Sequence, residues 1–306
     1  MRTKIILNPY SNRWRAQERV AEVEQALTAA NLDYDLVQTT RPGEAINLAQ
    51  SAVTDGFEAV IAAGGDGTIN EVINGLLRAA DDGPTVPFGI LPLGTANDFY
   101  LMAGLPASLA DAAAVMIQGK TRQIDAGEVN GRYFINNSAA AMEPMVTLEN
   151  IRMKRLSGEI RYIVALIKAI LKIKAWQMHI KWDDGSYDGP VYLLSICNSP
   201  RTGGFTMAPG AEIDDGLFDI VLAPEVPKLT LLKLLVRLMQ GTHVYHDLVT
   251  FTRTTSLVFS SKPGTPLHAD GEVFSEAEMD AAYKILPGKV SLLSPANKAA
   301  QSVKII

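Results

Sequence analysis

The stretch Ala62-Ala-Gly-Gly-Asp-Gly-Thr68-Ile-Asn-Glu71 decides how the first part of this chain folds. It follows the apolar run Ala59–Ile61 and precedes Val72-Ile-Asn-Gly-Leu76, so we predict a buried strand, a glycine turn and a helix. Further strands are predicted at Lys4–Leu7, Tyr34–Gln38 and Val86–Leu91, and helices at Ala16–Ala30, Gly43–Ala52, Ile69–Leu77 and Leu109–Gln118. Such alternation is typical of a parallel sheet with helices on both faces.

The glycine turn itself favours an anionic ligand. Glycine lets the backbone approach an anion closely, and the first N–H groups of the next helix point at it. Thr68 adds a hydroxyl, while Asp66 would repel a phosphate at short range. An acid in such a loop therefore implies a bridging cation, most simply Mg²⁺. The alternative is an ordinary tight turn with an exposed aspartate.

Two commoner phosphate motifs do not match this chain. The dinucleotide fingerprint needs a glycine where the chain has Asn70. A run similar to a Walker A motif, Ala114–Thr121, lacks the first glycine and lies at the end of a helical stretch, where Gly119 is predicted to cap the helix.

Length, charge and cysteine content limit the class of protein. A chain of 306 residues suits two domains. A formal net charge of −5 and the lack of a nucleic-acid-reading motif argue against nucleic acid as a partner. The single cysteine, Cys197, indicates a reducing compartment. We find neither a signal-peptide core nor an apolar run of the ~20 residues that span a bilayer, so we expect a cytoplasmic protein.

The pattern changes from about Arg122 onward, where short strands follow one another. This spacing predicts an antiparallel sandwich or barrel. Strands are predicted at Gly127–Val129, Tyr133–Asn136, Gln177–Trp182, Gly189–Ser195, Leu217–Val221, Thr250–Phe259 and Val273, with helices at about Gly158–Ala175 and Leu229–Gln240.

Three polar turns follow predicted strands of the first part and should meet at one edge of the sheet. They are Asn8-Pro-Tyr-Ser-Asn12, Gly64–Thr68 and Pro92-Leu-Gly-Thr-Ala-Asn-Asp98. Ligands of parallel sheets bind beyond the carboxyl ends of the strands.

Four separated motifs together resemble the diacylglycerol kinase and sphingosine kinase type of lipid kinase, in particular its bacterial members. They are Asn8-Pro-Tyr-Ser11, Gly64–Leu76, Pro92–Phe99, and the late pair Pro209–Leu217 with Asp270-Gly-Glu272. The resemblance implies an α/β nucleotide-binding domain at 1–121, completed by 287–306, and a β-sandwich lipid-substrate domain at 122–286. It also implies an active site in the cleft between them.

The same resemblance implies ATP and Mg²⁺ as cofactors and transfer of the γ-phosphate to a lipid hydroxyl, most simply that of diacylglycerol, giving phosphatidic acid. The implied catalytic acids are Glu272, as the first choice of base, then Asp270, with Asp66 in the phosphate loop. A structural Mg²⁺ would lie at Glu212, Asp214, Asp215 and the carbonyl of Leu217. Nucleotide contacts would fall on Asn8, Pro9, Tyr10, Ser11, Asn12, Thr39, Gly64, Gly65, Asp66, Gly67, Thr68, Asn70, Glu71, Gly94, Thr95, Asn97 and Asp98.

The residues suit this chemistry on their own terms. Phosphoryl transfer needs positioning, neutralised charge and a carboxylate near the attacking hydroxyl. A glycine beside Glu272 could orient that carboxylate, although Asp270-Gly-Glu272 alone would be a plain hairpin turn. This chain departs from the family pattern at Asn12, where glycine is usual and asparagine also tolerates a left-handed backbone. It departs again at Asn136–Met142, where alanines replace glycines and restrict the backbone.

Two segments could contact an anionic membrane surface. Segment 152–181 is basic and contains an amphipathic stretch, and segment 228–239 combines leucines with Lys228, Lys233 and Arg237. Either could instead pack its apolar face on the sandwich. The sequence thus predicts peripheral membrane association, and it leaves the oligomeric state open, a homodimer included. The histidines His179, His243, His246 and His268 are scattered and are assigned no role.

Two other functions compete with a lipid kinase. The first is a kinase of a soluble acceptor, NAD or a sugar, because the phosphate loop occurs there too; Pro92–Phe99 and Asp270-Gly-Glu272 favour the lipid branch. The second is a non-catalytic protein that binds ATP or phospholipid, against which the intact acid triplet and phosphate loop argue.

Overall fold

The computed structural model describes residues 1–95, 97–152, 168, 170 and 173–295. The chain forms two compact units, one comprising Met1–Ala126 and the segment that begins at Pro287, the other Gly127–Leu286. Strand β5 (Thr121–Val129) passes through the first division. The domain boundary at 121/122 falls at the start of this strand and stays a prediction.

The first unit contains the parallel sheet expected from the sequence. Its strand order is β2-β1-β3-β4, and Leu292 of the segment that begins at Pro287 pairs in parallel with Phe88 of β4. The strands are β1 Thr3–Leu7, β2 Tyr34–Gln38, β3 Ala59–Gly64 and β4 Phe88–Pro92. All six residues of β3 are buried, as is typical of a parallel strand covered on both faces.

Six helices flank this sheet or lie in its connections. They are α1 Arg15–Glu18, α2 Val20–Ala29, α3 Glu44–Thr54, α4 Asp66–Ala79, α5 Asp98–Met102 and α6 Leu109–Gln118. Gly119 adopts a left-handed conformation at the end of α6, φ 61°, so its prediction as a helix cap is confirmed. The short helix α5 was not predicted. Helix α4 begins at Asp66, three residues before the predicted start at Ile69. The prediction started too late because Asp66 and Gly67 are weak helix formers.

The second unit is built from antiparallel strands, as the sequence predicts. Within it the order is β13-β12-β9-β7-β14-β15, and β8 pairs with both β9 and β14. The strands that complete the set are β6 Arg132–Phe134, β7 Asn137–Ala141, β8 Trp176–Trp182, β9 Gly185–Cys197, β10 Arg201–Thr202, β11 Phe205–Thr206, β12 Phe218–Pro224, β13 Thr250–Thr254, β14 Ser256–Ala269 and β15 Glu272–Leu293.

Two apolar clusters stabilise this unit. One packs between strands around Phe134, Phe218 and Leu267. The other lies under the helices α7 (Met142–Arg152) and α8 (Lys228–Met239), where Leu231 and Leu234 are buried. The helix predicted at Gly158–Ala175 falls mostly outside the described residues. Among helices in the described part of the chain, none has the length and apolar composition needed to cross a bilayer.

The strand prediction differs from the structure at several places, and strands β7, β10 and β11 were not predicted. The single strand expected at Thr250–Phe259 is divided between β13 and β14, which are separated at Thr255. The isolated signal at Val273 is part of a 22-residue strand, β15, whose exposed polar residues hide its length from a search for apolar alternation.

Candidate functional site

Three polar turns of the first unit contact one another at the carboxyl edge of its sheet. The Asn8 side-chain amide donates to Thr68 Oγ1 at 3.0 Å, and Ser11 Oγ lies 3.5 Å from the same oxygen. Thr95 Oγ1 donates to Asn12 Oδ1 at 3.0 Å. Because β1, β3 and β4 run parallel, the turns that follow them share this edge. Side chains separated by up to 83 residues thus form one polar surface.

Two glycines allow the turns to approach so closely. A Cβ atom added to Gly65 would lie 3.1 Å from the Cα of Gly94, and one added to Gly94 would overlap the Cα of Gly65. Gly65 is extended, φ −101°, so it is required here for space rather than for a left-handed backbone. Helix α4 begins at the next residue and directs its first N–H groups to this edge, the arrangement that favours an anion.

Asn12 has the left-handed backbone that the sequence allowed. Its φ is 52°, and Arg13 and Trp14 also have positive φ values. Trp14 is 65% exposed, and its ring meets that of Tyr10 edge to face at 4.4 Å between centroids. Sequence analysis did not identify this aromatic pair, although an exposed tryptophan beside a polar turn is a signal for ligand contact.

Asp66 has a structural partner that the sequence did not suggest. Its carboxylate oxygens accept the backbone N–H groups of Asp98 at 3.3 Å and Phe99 at 3.2 Å. These are the first N–H groups of α5, so Asp66 caps a helix that begins 32 residues later. This contact differs from the predicted bridge to phosphate through a cation, and the catalytic role of Asp66 stays a prediction.

Other predicted nucleotide contacts also stabilise the scaffold. The Glu71 carboxylate accepts the N–H groups of Gly43 at 2.9 Å and Ala45 at 3.2 Å, around the start of α3. Asn70 is buried and accepts hydrogen bonds from the side chain of Asn74. Thr39 is buried as well, with its N–H donated to a strand carbonyl. Further predicted contacts that are buried are Pro9, Gly64 and Asp98, whereas Tyr10 and Thr95 are exposed and Gly67 and Asn97 half-buried.

The second unit presents Asp270-Gly271-Glu272 as the turn of a hairpin between β14 and β15. Ala269 pairs with Glu272, and both turn residues have positive φ, 47° at Asp270 and 82° at Gly271. This is the two-residue turn for which an Asp-Gly pair is favoured. The alternative of a plain hairpin therefore describes the backbone correctly, and the catalytic roles of the two acids stay predictions.

The two acids of the turn have different surroundings. Asp270 accepts three backbone N–H groups, from Ile135 at 3.0 Å, Asn136 at 2.8 Å and Asn137 at 3.1 Å. Glu272 is exposed, and within the described residues no donor contacts its carboxylate. Asp270 thus holds the turn against the chain before β7, while Glu272 is available to a substrate.

A buried acid and a buried histidine lie behind this turn. His268 Nε2 is 3.3 Å from Glu143 Oε1, and the N–H of Gly271 donates to His268 Nδ1 at 3.2 Å. Burial alone would raise the pKa of the Glu143 carboxyl, but the contact with His268, with donors on Asn137 and Ser195, lowers its pKa overall. This pair could not be predicted from the sequence, because its members are far apart in the chain and His268 belongs to no recognisable motif.

The backbone conformation of Ala141 brings Glu143 close to His268. Ala141 adopts φ 71° between β7 and α7, where the resemblance anticipated a glycine. A left-handed alanine costs about 1 kcal/mol, and such strain is often found near functional sites. The sharp change of direction places Glu143 in the first turn of α7.

The predicted metal loop is contacted by a cationic side chain of strand β13, Arg253. Asp215 Oδ1 accepts the N–H of Leu217 at 3.0 Å, and its Oδ2 is 3.6 Å from Arg253. Arg253 also pairs with buried Asp219 at 3.2 Å. In the described part of the chain, His, Cys, Asp and Glu form no group of three or more that could hold a metal ion. The four ligands remain predictions: Glu212, Asp214, Asp215 and Leu217.

Comparison with known proteins extends over nearly the whole chain. The family described as "Diacylglycerol kinase catalytic domain" matches residues 2–129, and that described as "YegS C-terminal NAD kinase beta sandwich-like domain" matches residues 138–294. Diacylglycerol kinase of Bacillus subtilis (strain 168) is 31% identical over 274 residues, 89% of either chain. The protein of that name from Staphylococcus haemolyticus (strain JCSC1435) is 32% identical over 273 residues, 88% of this chain and 81% of its own.

Solved structures share the fold at lower sequence identity. A crystal structure of a diacylglycerol kinase from Bacillus anthracis str. Sterne superposes with a TM-score of 0.72 at 18% identity, covering 96% of this chain and 97% of the other. An NAD kinase from Archaeoglobus fulgidus in complex with ATP gives a TM-score of 0.54 at 11% identity, covering 97% and 95%. The arrangement of an α/β unit and a β-sandwich is therefore common to lipid and NAD kinases.

Proposed function

The chain belongs to the diacylglycerol kinase family and is a lipid kinase, and from this premise we propose that its acceptor is the free hydroxyl of diacylglycerol, which becomes phosphatidic acid. The choice of diacylglycerol as acceptor rests on the relationship to a diacylglycerol kinase that is 31% identical over 89% of both chains. Membership of a kinase family implies ATP as the phosphate donor. We take the magnesium complex of ATP as the substrate.

The first unit supplies the nucleotide half of the proposal. Asn8, Ser11 and Thr68 present side-chain amide and hydroxyl groups around one point, beside the start of α4. Phosphate oxygens accept hydrogen bonds from such groups, and the helix dipole favours their charge. Asn12 and Thr95 would extend the contact surface along the same edge. The exposed ring of Trp14 is suited to contact the base of the nucleotide.

The second unit supplies the acid–base half. Glu272 is exposed and has no donor bound among the described residues, so its carboxylate can accept the proton of the lipid hydroxyl. The hydroxyl oxygen then bonds to the γ-phosphorus, and the bond from that phosphorus to its bridging oxygen breaks with both electrons leaving on ADP. Asp270 holds the turn by its three backbone hydrogen bonds and takes no proton in this scheme.

The acceptor lies in a membrane, and helix α8 has the surface to meet one. Its inner face packs Leu231 and Leu234 into the core. Its outer face also carries large apolar side chains, which a helix on a water-exposed surface normally lacks. They recur at helical spacing and are exposed, Leu229 by 68% and Met239 by 58%, with Leu232 and Val236 between them.

The positive charges of α8 would attract this outer face to an anionic lipid surface. Lys228, Lys233 and Arg237 lie on α8, and the helix contains no acid. On a helical projection at 100° per residue, Lys228 lies on one side of the exposed apolar stripe and the other two on the opposite side. A helix with this distribution lies in the interface of an anionic bilayer. The other proposed segment, 152–181, falls largely outside the described residues.

Vesicle binding tests the membrane part of the proposal. We expect Leu232→Gln with Val236→Gln to reduce co-sedimentation with vesicles containing phosphatidylglycerol severalfold, because the apolar stripe is interrupted. Val258→Gln, an equally exposed apolar position on β14, is the matched control and should bind as the wild type does. Equal binding by all three proteins would refute a role of α8 at the membrane.

A screen of acceptors tests the substrate. Purified protein, labelled ATP and Mg²⁺ are incubated with diacylglycerol, monoacylglycerol or a long-chain amino alcohol in mixed micelles, and with NAD in solution. We expect label in phosphatidic acid, with lower rates on the other lipids. Label transferred to NAD alone would contradict the proposal, since the NAD kinases share this fold.

A further inference from the structure

We propose that Glu143 and His268 form a positioning pair that fixes the turn carrying Glu272, an inference that rests on the proposed role of Glu272 as base. His268 is the second residue before Asp270, and Glu143 lies in the first turn of α7. Both belong to the second unit. Neither is placed to contact solvent, since His268 is 1% exposed and Glu143 7%.

One hydrogen bond indicates which tautomer of the imidazole fits this turn. The backbone N–H of Gly271 donates to His268 Nδ1 at 3.2 Å. A nitrogen that accepts a hydrogen bond carries no proton, so the neutral ring has its proton on Nε2. Nε2 lies 3.3 Å from Glu143 Oε1, close enough for charge attraction although not aligned as a good hydrogen bond. The carboxylate therefore favours the tautomer that can accept from Gly271.

Glu143 is itself held in place by neutral donors. The side-chain amide of Asn137 donates to Glu143 Oε1 at 2.8 Å. Thr202 Oγ1 lies 3.3 Å from the same oxygen and donates over a shorter distance, 2.8 Å, to Asn137 Oδ1. The second oxygen, Oε2, is buried and has no hydrogen-bond partner within the described residues. Burying a carboxylate with half of its acceptors unused is costly. A stability role alone would be served better by apolar residues of similar volume.

Backbone contacts hold His268 and Asp270 against the strand β7. Ser138 Oγ donates to the carbonyl of His268 at 2.6 Å, and the N–H of Asp270 donates to the carbonyl of Asn137 at 2.8 Å. His268 pairs with Ala139 across β14 and β7. The imidazole completes this set by fixing Gly271, the residue between the two acids. Loss of the correct tautomer would leave the Gly271 N–H without its acceptor and let Glu272 change direction.

Nitrogen NMR of the histidines tests the pair without any assay of activity. The chain has four histidines, so ¹⁵N-labelled histidine gives a spectrum that single substitutions can assign. In the wild type we expect the His268 signals of a neutral ring protonated at Nε2. In Glu143→Gln, whose amide can donate to the ring, we expect a mixture of tautomers. A wild-type ring protonated at Nδ1 would overturn the proposal.

Steady-state kinetics provide the functional test. We expect Glu143→Gln to lower kcat at least about tenfold, the effect usual for a residue that orients another, with KM for ATP unchanged. His243→Asn is the control, because His243 is also buried but contacts the Met207 carbonyl instead of the turn; its kcat should match the wild type. Unchanged kcat in Glu143→Gln would refute the proposal. Failure of the wild type to phosphorylate any lipid would instead refute the proposed function, whatever the tautomer.

Discussion

Replacing Asp270 by asparagine should separate the structural acid of the turn from the chemical one. Asparagine tolerates the left-handed backbone at φ 47° and keeps one acceptor oxygen. That oxygen can still accept from Asn136 and Asn137, but the new amide group would face the N–H of Ile135 as a second donor. The charge is lost from all three hydrogen bonds.

The size of the effect follows from these contacts. A hydrogen bond to a charged group contributes about 1.5–3 kcal/mol, and a buried donor left unpaired costs a similar amount. We expect Asp270→Asn to lower the free energy of unfolding by about 3 kcal/mol. For a unit of this size, that corresponds to a fall in Tm of about 6–12 °C.

Thermal and urea unfolding provide the assay, with Glu272→Gln as the matched control on the same turn. Glu272 is exposed and has no donor within the described residues, so Glu272→Gln should leave the free energy of unfolding within about 0.5 kcal/mol of the wild-type value. If Asp270→Asn unfolds at the wild-type temperature, the three backbone hydrogen bonds do not hold the turn. If Glu272→Gln is the less stable of the two, the division of roles between the acids is reversed.

Three further perturbations test other parts of the structure. Thr68→Val removes the hydroxyl that Asn8 contacts and should weaken ATP binding about tenfold in calorimetry; unchanged affinity would exclude the three turns as the nucleotide site. Gly94→Ala adds a Cβ atom that overlaps Gly65, so we expect about 1–3 kcal/mol less stability and weaker ATP binding, against no change if the turns can separate freely. The pKa of Asp183 is lowered to about 2 by hydrogen bonds from the backbone and side chain of Thr255; a lowered pKa stabilises the fold above the unfolded value near 3.9 and loses that effect as the pH falls towards 2. The cost of Asp183→Ala should thus be about 1 kcal/mol larger at pH 7 than at pH 2, after allowance for solvent screening, and an equal cost at the two pH values would contradict this.

The parallel sheet and the meeting of three polar turns at its carboxyl edge could be predicted because their signals are local. Each turn follows a buried apolar strand, and parallel strands place their carboxyl ends together. The contact of Asn8 with Thr68 and that of Asn12 with Thr95 follow from that rule. The antiparallel second unit was predicted for a similar reason, from short strands separated by turns.

The roles of single acids could not be predicted, because their partners are distant in the chain. Asp66 caps α5, a five-residue helix too short to show periodicity. Asp270 accepts N–H groups from residues more than 130 positions earlier. A motif indicates which residues matter, whereas the pairing of β14 with β7 decides which of the two acids stays available.

The contact between Glu143 and His268 could not be predicted from the sequence either. Four scattered histidines offered no reason to prefer His268. Its position beside Glu143 depends on the strand pairing and on the left-handed Ala141 before α7. Both features are consequences of tertiary structure, which overrides local preference.

The most direct test of the account is the rate at which labelled phosphate enters phosphatidic acid from ATP, measured for the wild type and for Glu272→Gln alongside their affinities for ATP. A general base contributes about 10²–10⁴-fold, so we predict a loss of that size in Glu272→Gln with ATP affinity preserved. Equal rates for the two proteins would contradict the assignment of Glu272 as the base.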